Sequence, residues 1–273
     1  MTLFDPDSRA APEGAPLARP DGSDTVRLRL LVAYDGTNFH GFAENRDVRT
    51  VAGVLRQALE TVLRHPVTLT GAGRTDAGVH AWGQVVSLDV PAEGLDLVRL
   101  QRSVNALAAP DVVVREVSVA SPDFDARFSA LWRRYRYSVL TSPWADPLRR
   151  ATTWHVGRPL SLDSLRLACD PFIGEHDFSS FCRSPKDDEG APMVRRVLAA
   201  SWTDLGDGHL GFEITATAFC QQMVRSIVGT MVEIGFGRRH AGEILGMLRA
   251  RNRAVAGQVA PPHGLCLWEV GYP

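Results

Sequence analysis

The sequence predicts an α+β fold, with two similar α/β halves sharing a mixed, largely antiparallel central sheet and helices packed on it. Three observations lead there. Strand-like and helix-like periodicities alternate along the chain, yet many strand pairs are joined by short turns, unlike a doubly wound parallel sheet. The second half repeats the alternation of the first. No linker of distinct composition and no short-period repeat separates the halves, so one sheet is expected to run through both.

Residues 1–24 are rich in Pro, Ala, Gly and Asp and are expected to be a disordered acidic tail, because they cannot bury enough apolar surface to order themselves. Structure is expected from residue 25, with an N-terminal half over 25–145 and a C-terminal half over 146–273. The alternation at 27–34 reads as a strand ending in the turn Asp35-Gly36. Thr50 is placed to cap a helix over 51–64, whose apolar residues recur at helical spacing. Residues 67–70 read as a strand, 71–80 as a glycine-rich loop, 84–90 as a strand and 97–107 as a helix. Residues 112–119 and 132–140 read as strands. In the second half, helices are expected near 161–171, 219–234 and 240–250, and strands near 196–204, 210–217 and 265–270.

Composition excludes several chemistries. Lysine and arginine total 30, and Lys186 is the single lysine, which leaves 29 arginines. No Gly-x-x-x-x-Gly-Lys phosphate loop is present. A Schiff-base mechanism would rest on Lys186, which sits in the polar run 184–190, a surface loop by composition. Base composition is the ordinary source of such an arginine bias, although arginine is also the planar cation suited to phosphate. The cysteines at 169, 182, 220 and 266 have no CxxC spacing, and the eight histidines form no His-x-x-x-His pair, so neither a redox dithiol nor a metal site is expected. No apolar run is long enough for a membrane span and no secretory signal is visible, which makes the cytoplasm the expected compartment. The net charge is −1, but five acids against Arg9 and Arg19 put −3 on the tail, leaving +2 on the body.

Four segments could carry chemistry. The loop Gly73-Arg74-Thr75-Asp76-Ala77-Gly78-Val79-His80 gathers a cation, a hydroxyl, a carboxylate and an imidazole on one short excursion. A lone Asp in such a loop is ordinarily a turn former. Beside an arginine, however, a carboxylate stays ionised, which suits a nucleophile better than a general acid. No second carboxylate is evident in the loop, which disfavours a paired-acid glycosidase. On a strand, Arg133, Tyr135 and Tyr137 would share one face and Trp132, Arg134 and Arg136 the other. With Arg127, these arginines interleaved with aromatics resemble a surface for phosphates and stacked bases. The run Phe219-Cys220-Gln221-Gln222-Met223-Val224-Arg225 opens an apolar helix in which Arg225 either snorkels or finds a carboxylate, for which Asp76 is a candidate. Residues 172–181 read as a helix-capping turn with core phenylalanines, and His176 and Asp177 are weaker catalytic candidates.

Together these segments resemble the tRNA pseudouridine synthase A family, from about residue 27 to the end. The motif at 73–80 is similar to the family's catalytic loop almost letter for letter. Residues 124–137 resemble its arginine- and tyrosine-bearing strand, and Gly174-Glu175-His176-Asp177-Phe178-Ser179-Ser180-Phe181 its mid-chain motif. Phe219 with Met223-Val224-Arg225 and Gly229 resembles its late helix, and Ala256-Gly257 with Ala260-Pro261-Pro262-His263-Gly264-Leu265 its C-terminal signature.

The resemblance implies the pseudouridine synthase fold and isomerisation of uridine to pseudouridine in the anticodon stem-loop of tRNA, at positions 38–40. It also implies a homodimer with a positively charged cleft completed by the C-terminal half, and no metal or organic cofactor. By motif position, Asp76 would be the nucleophile, Tyr135 would pack against the target base, Arg225 would pair with Asp76, and Arg74 would hold the displaced nucleotide. Arg127, Arg133, Arg134 and Arg136 are the expected RNA-backbone contacts. The Tyr135 phenol oxygen is a further candidate acceptor for the C5 proton. Two other readings stand beside this one: a non-catalytic tRNA-binding protein of the same fold, and a carboxylate-dependent hydrolase unrelated to RNA. The chain departs from the family pattern at Gly41-Phe42-Ala43, where Gly-Trp-Gln is usual, and arginines replace the usual lysines.

Overall fold

Residues 25–183 and 193–273 are described by the computed structural model; the expected acidic tail and the Lys186 loop lie outside the described residues. Ten strands among them form one sheet. In chain order they are β1 (Thr25–Tyr34), β2 (Thr70–Gly71), β3 (His80–Pro91), β4 (Val112–Val119), β5 (Trp132–Leu140), β6 (Trp154–His155), β7 (Gly174–Asp177), β8 (Val194–Asp204), β9 (His209–Ala216) and β10 (Leu265–Gly271). The helices are α1 (Val51–Leu63), α2 (Leu97–Ala108), α3 (Leu162–Leu167), α4 (Met223–Gly235) and α5 (Ile244–Ala250).

The strand order is β4-β1-β3-β10-β5-β9-β8-β7, with β2 added to β3 and β6 to β5. Pairing is antiparallel except for β10 with β3 and β5 with β6, so the sheet is mixed and largely antiparallel, as the sequence predicts. The last strand, β10, lies between β3 and β5 and is the seam through which the sheet is continuous.

Strand alternation selects the face that takes the helices. In β1, Val26, Leu28, Leu30, Val32 and Tyr34 are buried, whereas Arg27, Arg29, Leu31 and Ala33 are half-buried. Register carries the first face across the sheet: Tyr34 pairs with Ala81, Ala81 with Leu267, Leu267 with Tyr135, and Tyr135 with Ile214. Helix α2 packs on β4 and against α1, and α4 packs against α3 and receives Trp202 of β8, whose indole N–H lies 3.2 Å from Met231 Sδ. Thr50 caps α1, its side chain accepting from the Gly53 amide.

Several boundaries differ from the sequence expectation. Of the expected strand at 67–70 only Thr70 pairs with β3, opposite Ser87, and the pairing extends one residue further to Gly71 opposite Val86. Helix α3 stops at Leu167, and Pro171, which has no amide donor, falls in a 3-10 turn over Asp170–Phe172. Helix α4 begins at Met223 rather than 219, because Gln222 is left-handed, with φ 64°. Residues 172–181 form β7 and a 3-10 turn over Ser179–Phe181, with Phe172, Phe178 and Phe181 fully buried.

Candidate active site

The loop between β2 and β3 is held at nearly every residue. Ala72 donates its amide to Val85 O, at 2.8 Å. Gln84, fully buried on β3, reads the Gly73 backbone in both directions: its amide nitrogen donates to Gly73 O at 2.8 Å and its oxygen accepts from Gly73 N at 3.3 Å. Thr75 is buried, with its hydroxyl 2.8 Å from Tyr34 Oη and its carbonyl accepting from Phe42 N. Val79 N closes a turn onto Asp76 O, and Gly78 takes φ 77° within it, a left-handed value that favours glycine. His80 Nδ1 accepts from Gly36 N at 3.0 Å, and Nε2 lies 2.9 Å from Ala151 O, so this imidazole braces the loop. Phe42 is buried beneath the loop and 6.2 Å from the Tyr34 ring.

This framework presents the Asp76 carboxylate at the helix-covered face of the sheet. Arg225 Nη1 lies 3.3 Å from Asp76 Oδ2, and both side chains are mostly buried. Arg225 is itself oriented: its Nε donates to Ala260 O at 2.7 Å, and its carbonyl accepts from Ala260 N. Ala260 therefore serves to aim the guanidinium. Close packing brings that segment in, since a Cβ on Gly229 would overlap the Gln258 carbonyl oxygen. Tyr135 is 8 % exposed and meets the Phe219 ring edge-on, with centroids 5.0 Å apart. Burial, with the charge of Asp76, pushes its phenol pKa well up, so the group stays protonated and is a poor proton acceptor.

The arginines separate by the strand alternation. Arg133 faces the same way as Tyr135, but its donors are turned inward. Nε and Nη2 reach Ala72 O at 3.3 and 3.0 Å, Nη1 reaches Ala130 O and Thr217 O, and Nη2 also reaches Arg127 O at 2.7 Å. The fork is filled by protein carbonyls instead of facing an RNA backbone. Arg134 and Arg136 lie on the opposite face. Arg134 pairs with Glu269 at 3.2 Å, and Arg136 pairs with Glu213 at 2.8 Å while lying 3.9 Å over Trp268. The sequence expectation that these three contact RNA meets donors already engaged within the protein. Arg74 and Arg127 are exposed and form no ion pair among the described residues.

Asp177 is a structural cap: it accepts from the amides of Ser179 and Met193 and pairs with Arg251 at 2.8 Å. Gln84 was absent from the expected site. Its signal is a polar residue at an inward position beside Val85 and Val86. Cys182 and Cys220, which the sequence spacing does not pair, lie side by side, with Cα atoms 5.8 Å apart. Among the described residues, no group of three or more His, Cys, Asp or Glu gathers where a metal ion could sit. Among them too, no helix is long and apolar enough to cross a membrane.

The model of the family described as tRNA pseudouridine synthase matches residues 30–129 and 168–273. The chain belongs to that family. Its relatives include proteins named tRNA pseudouridine synthase A from Leifsonia xyli, 43% identical over 268 residues, covering 91% of this chain and 92% of the relative. Another is from Corynebacterium glutamicum, 43% identical, covering 91% and 90%. A third, from Bacillus subtilis, is 37% identical and covers 90% and 99%. Membership makes the chain an enzyme of an isomerase family. The family match takes in Arg74, Asp76, Arg127 and Arg225, whereas β5 with Tyr135 falls between the two matched stretches.

Proposed function

We propose that this chain isomerises uridine to pseudouridine in the anticodon stem-loop of tRNA, at positions 38–40, with Asp76 as the nucleophile. The observation that carries the proposal is the Asp76 carboxylate, presented on a pinned loop and paired to an oriented Arg225 beside the buried ring of Tyr135. The reaction breaks N1–C1′ of the nucleotide, turns the uracil and joins C5 to C1′, releasing the C5 proton. With no external nucleophile, that calls for a carboxylate that attacks C1′ or removes the C2′ proton to give a glycal. A fixed carboxylate avoids reorganisation at the moment of bond breaking.

The base must first leave its stack, which costs a few kcal/mol. The Tyr135 ring offers a platform that offsets part of it. The protonated phenol argues against Tyr135 as the C5 proton acceptor and for a packing role. Arg74, exposed two residues before Asp76, and Arg127 are the proposed contacts to the displaced nucleotide and its backbone. The same reading makes the working molecule a cytoplasmic homodimer, which light scattering at several protein concentrations tests.

The deciding experiment is tritium release from C5-tritiated uridine in tRNA. Asp76→Asn should abolish release while tRNA binding survives. Full activity in that variant would remove Asp76 from the chemistry. Binding by the unaltered chain with no pseudouridine in the product would make it a tRNA-binding protein only.

A further inference from the structure

Beyond Asp76 and its partner, the start of α4 collects positive charge that no carboxylate among the described residues balances. Arg253 extends from the 3-10 turn over Arg253–Val255 to this end of the helix, where Nη2 donates to Gln222 Oε1 at 2.7 Å and to Ser226 Oγ at 3.3 Å. Its Nη1 is buried and has no hydrogen-bond partner among the described residues. Burial, then the nearby charges of Arg183 and Arg225, lower the Arg253 pKa, which places all three guanidinium groups within electrostatic reach. Arg183 is anchored there by its backbone, its amide donating to Gln221 O at 2.9 Å. Neither Arg183 nor Arg253 forms an ion pair among the described residues, and the first turn of α4 holds no acidic residue and no side-chain cap.

Among the described residues, three arginines around one carboxylate leave an excess of positive charge, and an unmatched buried donor adds a desolvation cost. An anion offsets both, and the uncapped positive end of the 13-residue helix favours one there. Arg225, three residues along from Gln222, faces Asp76, so an anion at Arg253 would lie next to the nucleotide being turned over.

We propose that Arg253 and Arg183 form a phosphate subsite that grips a phosphodiester of the RNA strand flanking the target uridine. This rests on the reading of the chain as an RNA-modifying enzyme and adds to it a site for the strand beside the reacting base. The subsite holds the backbone while the base rotates, leaving Arg225 free for Asp76.

The test measures binding alone, in the Asp76→Asn background. Anticodon stem-loops carry one methylphosphonate each, at successive phosphates around the target uridine. Arg253→Gln should weaken binding of the unmodified stem-loop about tenfold and reduce the slope of log affinity against log salt by about one. At one phosphate, the methylphosphonate should weaken binding to the unaltered Arg253 protein but add no further loss to Arg253→Gln. Arg253→Lys, which keeps the charge, should retain most of the slope. If Arg253→Gln lowers the thermal midpoint enough to unfold the protein, Arg183→Gln, whose side chain is exposed, carries the same measurement. An unchanged slope, or additive losses at every phosphate, overturns the subsite. If the unaltered chain makes pseudouridine while the slope does not move, only the subsite falls. If no pseudouridine forms but slope and non-additivity hold, the subsite stands and the catalytic reading falls. Failure of the stem-loop to bind at all overturns both.

Discussion

At the scale of single residues, environment decides the work of identical side chains. Arg74, Arg133, Arg225 and Arg253 are all arginines of one arginine-rich chain, yet only Arg225 is aimed at the carboxylate of Asp76. Arg133 closes its fork on the carbonyls of Ala72, Ala130, Thr217 and Arg127, tying the loop that bears Asp76 to the chain that leads into α4. A lysine has three donors and no planar fork and cannot reproduce that span. Arg133→Lys should therefore lower kcat by about 10–100-fold through misplacement of the loop, with tRNA affinity and its salt slope unchanged. A slope that fell by about one would instead make Arg133 a phosphate contact. Asp177 gives a pH-dependent prediction. Burial alone would raise its pKa, but hydrogen bonds from Ser179 and Met193 and the charge of Arg251 bring it below the ordinary 3.8. A depressed folded-state pKa contributes stability that is present above the unfolded value and is lost as pH falls through the folded one. Urea unfolding should thus show Asp177→Asn clearly less stable than the unaltered protein at pH 7, with the gap narrowing by pH 3.

At the scale of elements, α4 and its neighbours hold the site together by close approach. Gly229 faces the Gln258 carbonyl with no room for a methyl group. Gly229→Ala should cost about 3 kcal/mol or more by overpacking, and should lower kcat more than a matched destabilisation elsewhere, because the 258–260 segment aims Arg225. Thr50→Ala should cost about 1 kcal/mol through loss of its cap, with kcat unchanged. Both are read by denaturant unfolding alongside steady-state kinetics. The elements legible in the sequence were those set by local pattern: the Thr50 cap, the glycine-rich loop, and the face alternation that puts Tyr135 and Tyr137 inward and Arg134 and Arg136 outward. Gln84 was not legible as a site residue, because its role depends on Gly73 folding back across 11 positions of chain. The start of α4 was misplaced because only the left-handed backbone of Gln222 excludes the preceding residues from the helix.

At the scale of the whole molecule, the last strand is the one that closes the fold. β10 pairs with β3 and β5 at once, so the sheet is completed only when the C-terminus returns. A chain ending at residue 264 should lack a cooperative thermal transition by circular dichroism, because β3 and β5 are left with facing unpaired edges. A sharp transition near that of the full chain would show the seam to be dispensable. By itself, the sequence determined the class of fold, the order of most elements, the loop bearing Asp76 and the arginine chemistry of the surface. All of these are written in periodicity and spacing over a few residues. Only the tertiary structure decided which arginine meets Asp76, which are consumed by carbonyls and which remain for an anion. Those outcomes rest on contacts across as many as 149 positions, as between Asp76 and Arg225, where no local pattern reaches.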